Sequence, residues 1–348
     1  MSFTSLRCLA LLLGLLLVTG HAEARAASDA PDLVVAADGS GDFLTVQAAI
    51  DSVGANGSTQ TVISIKPGVY KERIRIPADK KNLKLVGESY ENTVLTYDDY
   101  AGKNHDCAST RVDADDFFAE GLTFQNTVDS RSGVEGGQAV ALRVDGDRAQ
   151  FVRCRLTGFQ DTYYTGGNRR SYHKECVIEG TTDFIYGDGV AVFEDCVINC
   201  RKNSHITAHG QTLRDGRSVN RFGYVFKNCD LRLHPEEQAT SVSLGRPWRD
   251  GARVVYLNCT MGGHIRKEGW SEWQGRENHK TAYYAEYNSR GPGGDPVGRL
   301  PWTHQLTDEE AAAYTTANIF AADSTTAVKL EGDWDPEVAG AGHETPTE

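Results

Sequence analysis

The chain has 348 residues, of which 24% are charged and 39% hydrophobic, and its formal net charge is -12 at pH 7. That composition is ordinary for a globular protein, and the acidic excess argues against nucleic-acid binding, which needs a basic face. An anionic ligand would need a local basic patch, and the 36 glycines suit a strand- and loop-rich fold better than a helical bundle.

The N-terminus reads as a secretory signal covering residues 1–26. Arg7 is the only charge before the apolar run 9–18, which is too short to cross a bilayer as a helix. Small residues at Ala22, Ala24 and Ala26 offer a cleavage point near 24–26. The expectation is an exported, soluble protein, extracellular or periplasmic, with residues 27–348 forming a single domain. A short capped helix is expected over 45–50, placed to close one end of the fold. Short strands are expected at Thr61–Ile65, 82–86, 139–144, 191–193 and Arg253–Leu257.

A repeat organises the middle of the chain. Cys154, Leu156, Gly158 and Asp161 recur as Cys176, Ile178, Gly180 and Asp183, each 22 residues on. Cys196, Cys229 and Cys259 repeat the cysteine, again with an apolar residue two positions later. A period in the low twenties with short β-branched runs predicts an all-β solenoid, the coils of a parallel β-helix. The cysteines then form a column, read as a buried ladder of small apolar side chains; disulfides are the alternative in an exported chain. Seven cysteines follow the signal, so they cannot all pair.

Stacking makes neighbours of residues 22 apart, about 5 Å from one another. Asp161 would then face Asp183, and Gln138 would face Gln160. Two close carboxylates do not both ionise easily, which leaves one acid and one anion. Amides beside them can donate to a developing oxyanion. The alternative is a set of polar ladder residues serving turn backbones. Arg246 in "LGRPW" is a candidate charge partner, and Trp248 offers a flat face to a sugar ring. Cys196-x3-Cys200 followed by His205-x3-His209 contains zinc-ligand types, but the four intervening residues do not match common structural zinc spacings. Towards the C-terminus, Thr307 and Glu310 form a capping box before a helix at 311–320. The tail 333–348 is expected to be loose.

Taken together, "VVAADGSGDFLTVQAAID", "KPGVYKERI", "QAVALRV", "GFQDTYY", "TTDFIYGDG", "LGRPW", "GWSEW", "YAEYNSRGPG" and "LPWTHQLTDEEAAAYT" resemble the pectin methylesterases (pectinesterases). The resemblance spans nearly all of residues 33–322. It implies a single-stranded right-handed parallel β-helix with short capping helices, and an ester hydrolase that frees methanol from methyl-esterified pectin. It looks bacterial-type, without an inhibitor-like pro-region. By position, Asp183 matches the nucleophile and Asp161 the proton donor and acceptor. Gln160 and Gln138 match the oxyanion amides, Arg246 the partner of the nucleophile, and Trp248 a substrate contact. Tyr163, Tyr186 and Trp270 are expected to line the groove. His105 stands where the family usually has a threonine, and Tyr186 where phenylalanine is common. The resemblance implies no metal and no organic cofactor, and a monomer whose partner is pectin rather than nucleic acid or membrane. A glycosidase would also want carboxyls about 5 Å apart. A polysaccharide lyase would need calcium-binding carboxylates and a basic catalytic residue, and a carbohydrate-binding protein could keep the fold without the chemistry.

Overall fold

The computed structural model describes residues 30–104, 106–323, 330 and 332–336. Within them the strands form three parallel sheets of eleven, seven and eight strands, plus one two-stranded antiparallel hairpin. One turn of the chain supplies one strand to each large sheet. Leu142–Val144, Ala149–Val152 and Arg155–Thr157 make one coil. They pair in register with Tyr163–Thr165, Arg170–Lys174 and Val177–Gly180 of the next. This is a parallel β-helix. Thr61–Ile65 and Arg253–Leu257 are strands as expected, whereas the other three shift at their ends to Leu83–Gly87, Leu142–Val144 and Val190–Glu194.

Corners are set by backbone conformation. Arg153, Glu175, Asp195, Asn228, Asn258 and Asn288 occupy one corner of successive coils with φ between 47° and 55°. Left-handed backbone costs a non-glycine residue about 1 kcal/mol or more, and stacking offsets part of that cost. Here Asn288 donates its amide to Asn258 at 2.8 Å. The residue after five of these corners is a cysteine. Cys154, Cys176, Cys196, Cys229 and Cys259 are buried with free thiols, forming the expected column.

Beside the column, Phe151, His173, Phe193, Phe226 and Tyr256 share one register position. Their rings stack nearly parallel, with centroids 4.9, 4.8, 4.5 and 4.3 Å apart. The coil spacing of about 4.8 Å suits ring-on-ring contact. His173 is thus a core residue in an aromatic ladder, its Nε2 2.9 Å from the Tyr163 hydroxyl.

At one end, Thr45 caps the helix Val46–Ser52. At the other, the capping box of Thr307 and Glu310 is present, but the expected helix 311–320 is two, Asp308–Ala312 and Thr316–Ile319. Thr315 accepts from the Asn318 N–H and starts the second as a fresh cap. The start of the expected loose tail is docked: Trp334 lies 4.6 Å from the Phe320 ring, and its N–H donates to the Phe320 carbonyl. The signal segment falls outside the described residues, among which no helix is long and apolar enough to cross a membrane.

A fully buried arginine ties this end to the coils. Arg170 grips Asp147 through Nε at 3.2 Å and Nη2 at 2.7 Å, while Nη1 reaches the carbonyls of Phe320 and Gly332. Removing one partner strands a buried charge, which costs about 3–5 kcal/mol. Denaturant unfolding of Arg170→Met should show a loss of that order, together with faster proteolysis beyond residue 316.

His173 predicts an acid sensitivity. Burial pushes its pKa down from 6.5 to about 3. The unfolded imidazole binds its proton as pH falls below 6.5, while the folded one does not until about 3. Stability therefore drops as pH is lowered through that window. Melting temperature should fall less steeply between pH 6.5 and 3 in His173→Phe, which keeps the ring stack, than in the wild type.

Candidate active site

Five strands lie side by side in the seven-stranded sheet: Leu142–Val144, Tyr163–Thr165, Ile185–Gly187, His205–His209 and Ser243–Gly245. Alternation turns Tyr164 and Tyr186 outwards and Tyr163 and Ile185 inwards. Asp161 and Asp183 each stand two residues before their strand, both in left-handed backbone with φ of 65° and 50°. Aspartate tolerates that region better than most residues. The 22-residue offset persists through Tyr163 opposite Ile185, and the Asp161 N–H donates to the Thr182 carbonyl. The two aspartates are therefore coil-to-coil neighbours, as the spacing predicts.

One coil earlier the 22-residue offset still holds at this level. The Ala139 N–H donates to the Gln160 carbonyl as the Asp161 N–H does to the Thr182 carbonyl, so Ala139 lies beside Asp161 and Gln138 beside Gln160, as the spacing predicts. A one-residue bulge follows, where the Ala141 and Leu142 N–H groups both donate to the Thr162 carbonyl, and from Leu142 opposite Tyr163 the offset is 21. Gln138 also lines a cleft of about 240 Å³ together with Asp106, Cys107, Arg143, Asp161 and Tyr186. Gln160 is half-buried beside Asp161 in sequence.

Arg246 follows the strand Ser243–Gly245 and reaches Asp183 across the coil of His205–His209. Its Nε donates to Oδ1 at 3.0 Å and its Nη2 to Oδ2 at 2.5 Å. This two-pronged geometry holds both carboxylate oxygens in one plane. Burial raises the Asp183 carboxyl above the usual range, and the Arg246 hydrogen bonds and charge pull it back. Among the described residues Asp161 has no such partner. Burial, then the Asp183 charge, raise it well above the usual range, opposed only by the more distant Arg246. The pair therefore divides into an anion at Asp183 and an acid at Asp161.

Trp248 sits half-buried near the rim, 6.2 Å from Tyr186, and Tyr186 lies 4.9 Å from Tyr164. Two expected groove residues are elsewhere. Tyr163 is fully buried, bonded to Ser171 and His173, because strand alternation points it into the core. Trp270 is also fully buried, with Nε1 donating to Glu286. Neither reaches solvent. His105 falls outside the described residues. The zinc alternative loses its ligands: His205 Nδ1 pairs with Ser243, and His209 uses its two ring nitrogens on the Gly189 carbonyl and the Arg253 N–H. Cleft residues missed in the sequence are Asp106, Cys107 and Arg143. Arg143 could have been found by alternation, since it stands between inward Leu142 and Val144.

The comparisons with known proteins agree with this geometry. A pectinesterase family model matches residues 32–323. Pectinesterase 31 of Arabidopsis thaliana is 39% identical over 293 residues, covering 80% of this chain and 89% of that protein. The chain spans about half the length of several other curated relatives it matches, 52% in one from Brassica campestris. Among solved structures, pectin methylesterase from carrot superposes with a TM-score of 0.77 at 31% identity, covering 84% of this chain and 94% of that one. A pectin methylesterase solved in complex with a hexasaccharide gives 0.71 at 30% identity, covering 89% and 99%.

The closeness of the two coils rests on Gly180. A Cβ there would sit 2.3 Å from the Phe184 Cβ and 2.6 Å from the Phe159 carbonyl oxygen. Gly180→Ala must push apart the turns that carry Asp161 and Asp183. It should cost about 1–3 kcal/mol in thermal or denaturant unfolding and lower turnover beyond what the folded fraction explains.

Proposed function

The chain belongs to the pectinesterase family, and we propose that it hydrolyses the methyl esters of galacturonate units in pectin. The observation that carries this is the unequal aspartate pair: one carboxylate clamped by Arg246, and a second a coil away whose pKa burial and the first charge raise.

In the proposed reaction an Asp183 oxygen attacks the ester carbonyl carbon. The oxyanion that forms is met by amide donors of Gln138 and Gln160. As the bond to the methoxy oxygen breaks, Asp161 gives that oxygen its proton and methanol leaves. The acyl group is then held on Asp183 as a mixed anhydride. Asp161, now a base, takes a proton from water, and the resulting hydroxide attacks the substrate acyl carbon. That breaks the anhydride, restores the Asp183 carboxylate, and releases a free galacturonate. No step calls for a cofactor. Low surrounding polarity strengthens the Asp183 nucleophile, while Arg246 keeps it ionised. Trp248 and Tyr186 supply flat faces for the sugars.

Part of this proposal reaches beyond the site. The enzyme acts as a secreted monomer, cut near residues 24–26 and working on an extended polysaccharide, with residues 27–348 as its single domain. The bacterial-type character rests on the sequence resemblance alone, since the curated relatives named above are plant proteins.

Highly methylated pectin incubated with the protein should release methanol without new reducing ends. Asp183→Ala should lose at least about a thousandfold in kcat, on the scale of deleting a nucleophile. Chain cleavage without methanol would point to a glycosidase or lyase. No methanol from folded wild type would leave a binding protein.

A further inference from the structure

Segment 269–276 carries two tryptophans with opposite surroundings. Trp270 is the root, fully buried, its Nε1 donating to Glu286 Oε1 at 3.1 Å. Glu286 is in turn gripped by Arg299 through Nε at 2.8 Å and Nη2 at 3.0 Å. The Ser271 N–H donates to the Gly245 carbonyl at 3.0 Å, which fastens the segment beside Arg246. Gly269 and Gly275, with φ of 69° and 73°, turn the backbone at either end. The Arg276 N–H closes onto the Trp273 carbonyl at 3.0 Å. This scaffold leaves Trp273 half-exposed, its ring centroid 4.1 Å from the guanidinium carbon of Arg246.

Arg246 thus has its edge on Asp183 and its guanidinium carbon over the Trp273 ring. A guanidinium stacked on an indole keeps its in-plane N–H groups free for a carboxylate, and the ring excludes water from its face. We propose that Trp273 is a positioning residue, whose ring fixes the plane of the Arg246 guanidinium so that both of its prongs meet Asp183. The proposal rests on the assignment of Asp183 as nucleophile. Without the ring, Arg246 gains rotamers and hydration, and Asp183 loses part of its cation. The Asp183 carboxyl then binds its proton more readily.

The test compares Trp273→Ala, Trp273→Phe and Trp273→Leu in the full chain. Methanol release from highly methylated pectin is followed across pH, and the Asp183 carboxyl is titrated by carbon NMR with Asp183→Asn as the assignment control. Trp273→Ala should lower kcat about tenfold, the scale of a partly desolvated cation–π contact, with KM within about twofold. Its acidic limb and the Asp183 titration should both move to higher pH. Trp273→Phe should restore most of the loss, and Trp273→Leu, which keeps bulk without a π-face, should not. Leu performing as well as Phe would reduce the effect to packing and overturn the proposal. A raised KM with the acidic limb unmoved would make Trp273 a sugar contact only, and also overturn it. Absence of methanol from the wild type would sink the esterase reading, whereas the Asp183 titration still reports whether Trp273 acts through Arg246.

Discussion

The site depends on one constraint: two carboxylates are held on adjacent coils, and a single guanidinium is shared unequally between them. Stacking at 22 residues brings Asp161 and Asp183 within reach of each other. Bringing like charges together in a buried place is unfavourable unless one is neutralised. Arg246 chooses which. Its two hydrogen bonds go to Asp183, so Asp161 is the carboxyl whose proton burial and the neighbouring charge hold more tightly. A guanidinium is suited to this task because its fork matches both carboxylate oxygens, which a lysine ammonium cannot do.

Everything that precedes the site in the fold serves to keep that register. The corner residues in left-handed backbone, the cysteine column and the ring stack from Phe151 to Tyr256 each repeat once per coil. A one-residue slip in any coil would misalign all three ladders together, so the coil spacing is fixed more firmly than any single contact could fix it. The site exploits the coils where the spacing is regular, 161 to 183 and onward to 205. The same offset relates Gln138 to Gln160, and the bulge at Ala141 and Leu142 shortens the coil only beyond them, with Gln138 lining the cleft.

Much of this was legible in the sequence, because a solenoid converts spacing into contact. The repeat of Cys154 at Cys176 and of Asp161 at Asp183 predicts both the column and the carboxylate pair. What periodicity misses is which way a motif's side chains face. Tyr163 and Trp270 lie in conspicuous strings, yet alternation and the Glu286 hydrogen bond bury them. Trp273 and Arg143 stand in the same kind of string, "GWSEW" and "QAVALRV", without being singled out there, yet they are half-exposed. The split of the last helix at Thr315 was hidden because a threonine cap and a helical threonine are the same letter. The docking of Trp334 depends on Arg170, more than 160 residues away, a contact that no local pattern encodes.

The acidic charge of the chain, awkward for a polyanionic ligand, fits the proposed reaction once the charge of each species is followed. The esterified unit that meets Asp183 is neutral, so an anionic nucleophile does not repel it. The product unit carries a new carboxylate next to the regenerated Asp183 carboxylate. Arg246 already has both its prongs on Asp183, and Arg143 is bound by Asp145 at 2.6 Å. Neither has a free fork for the product, and Asp106 adds a further carboxyl to the same cleft. Hydrolysis thus turns a tolerated neutral group into a repelled anion, and the site favours departure of what it makes. The arginine that favours a charged Asp183 is, by the same hydrogen bonds, withheld from the product of the proposed reaction.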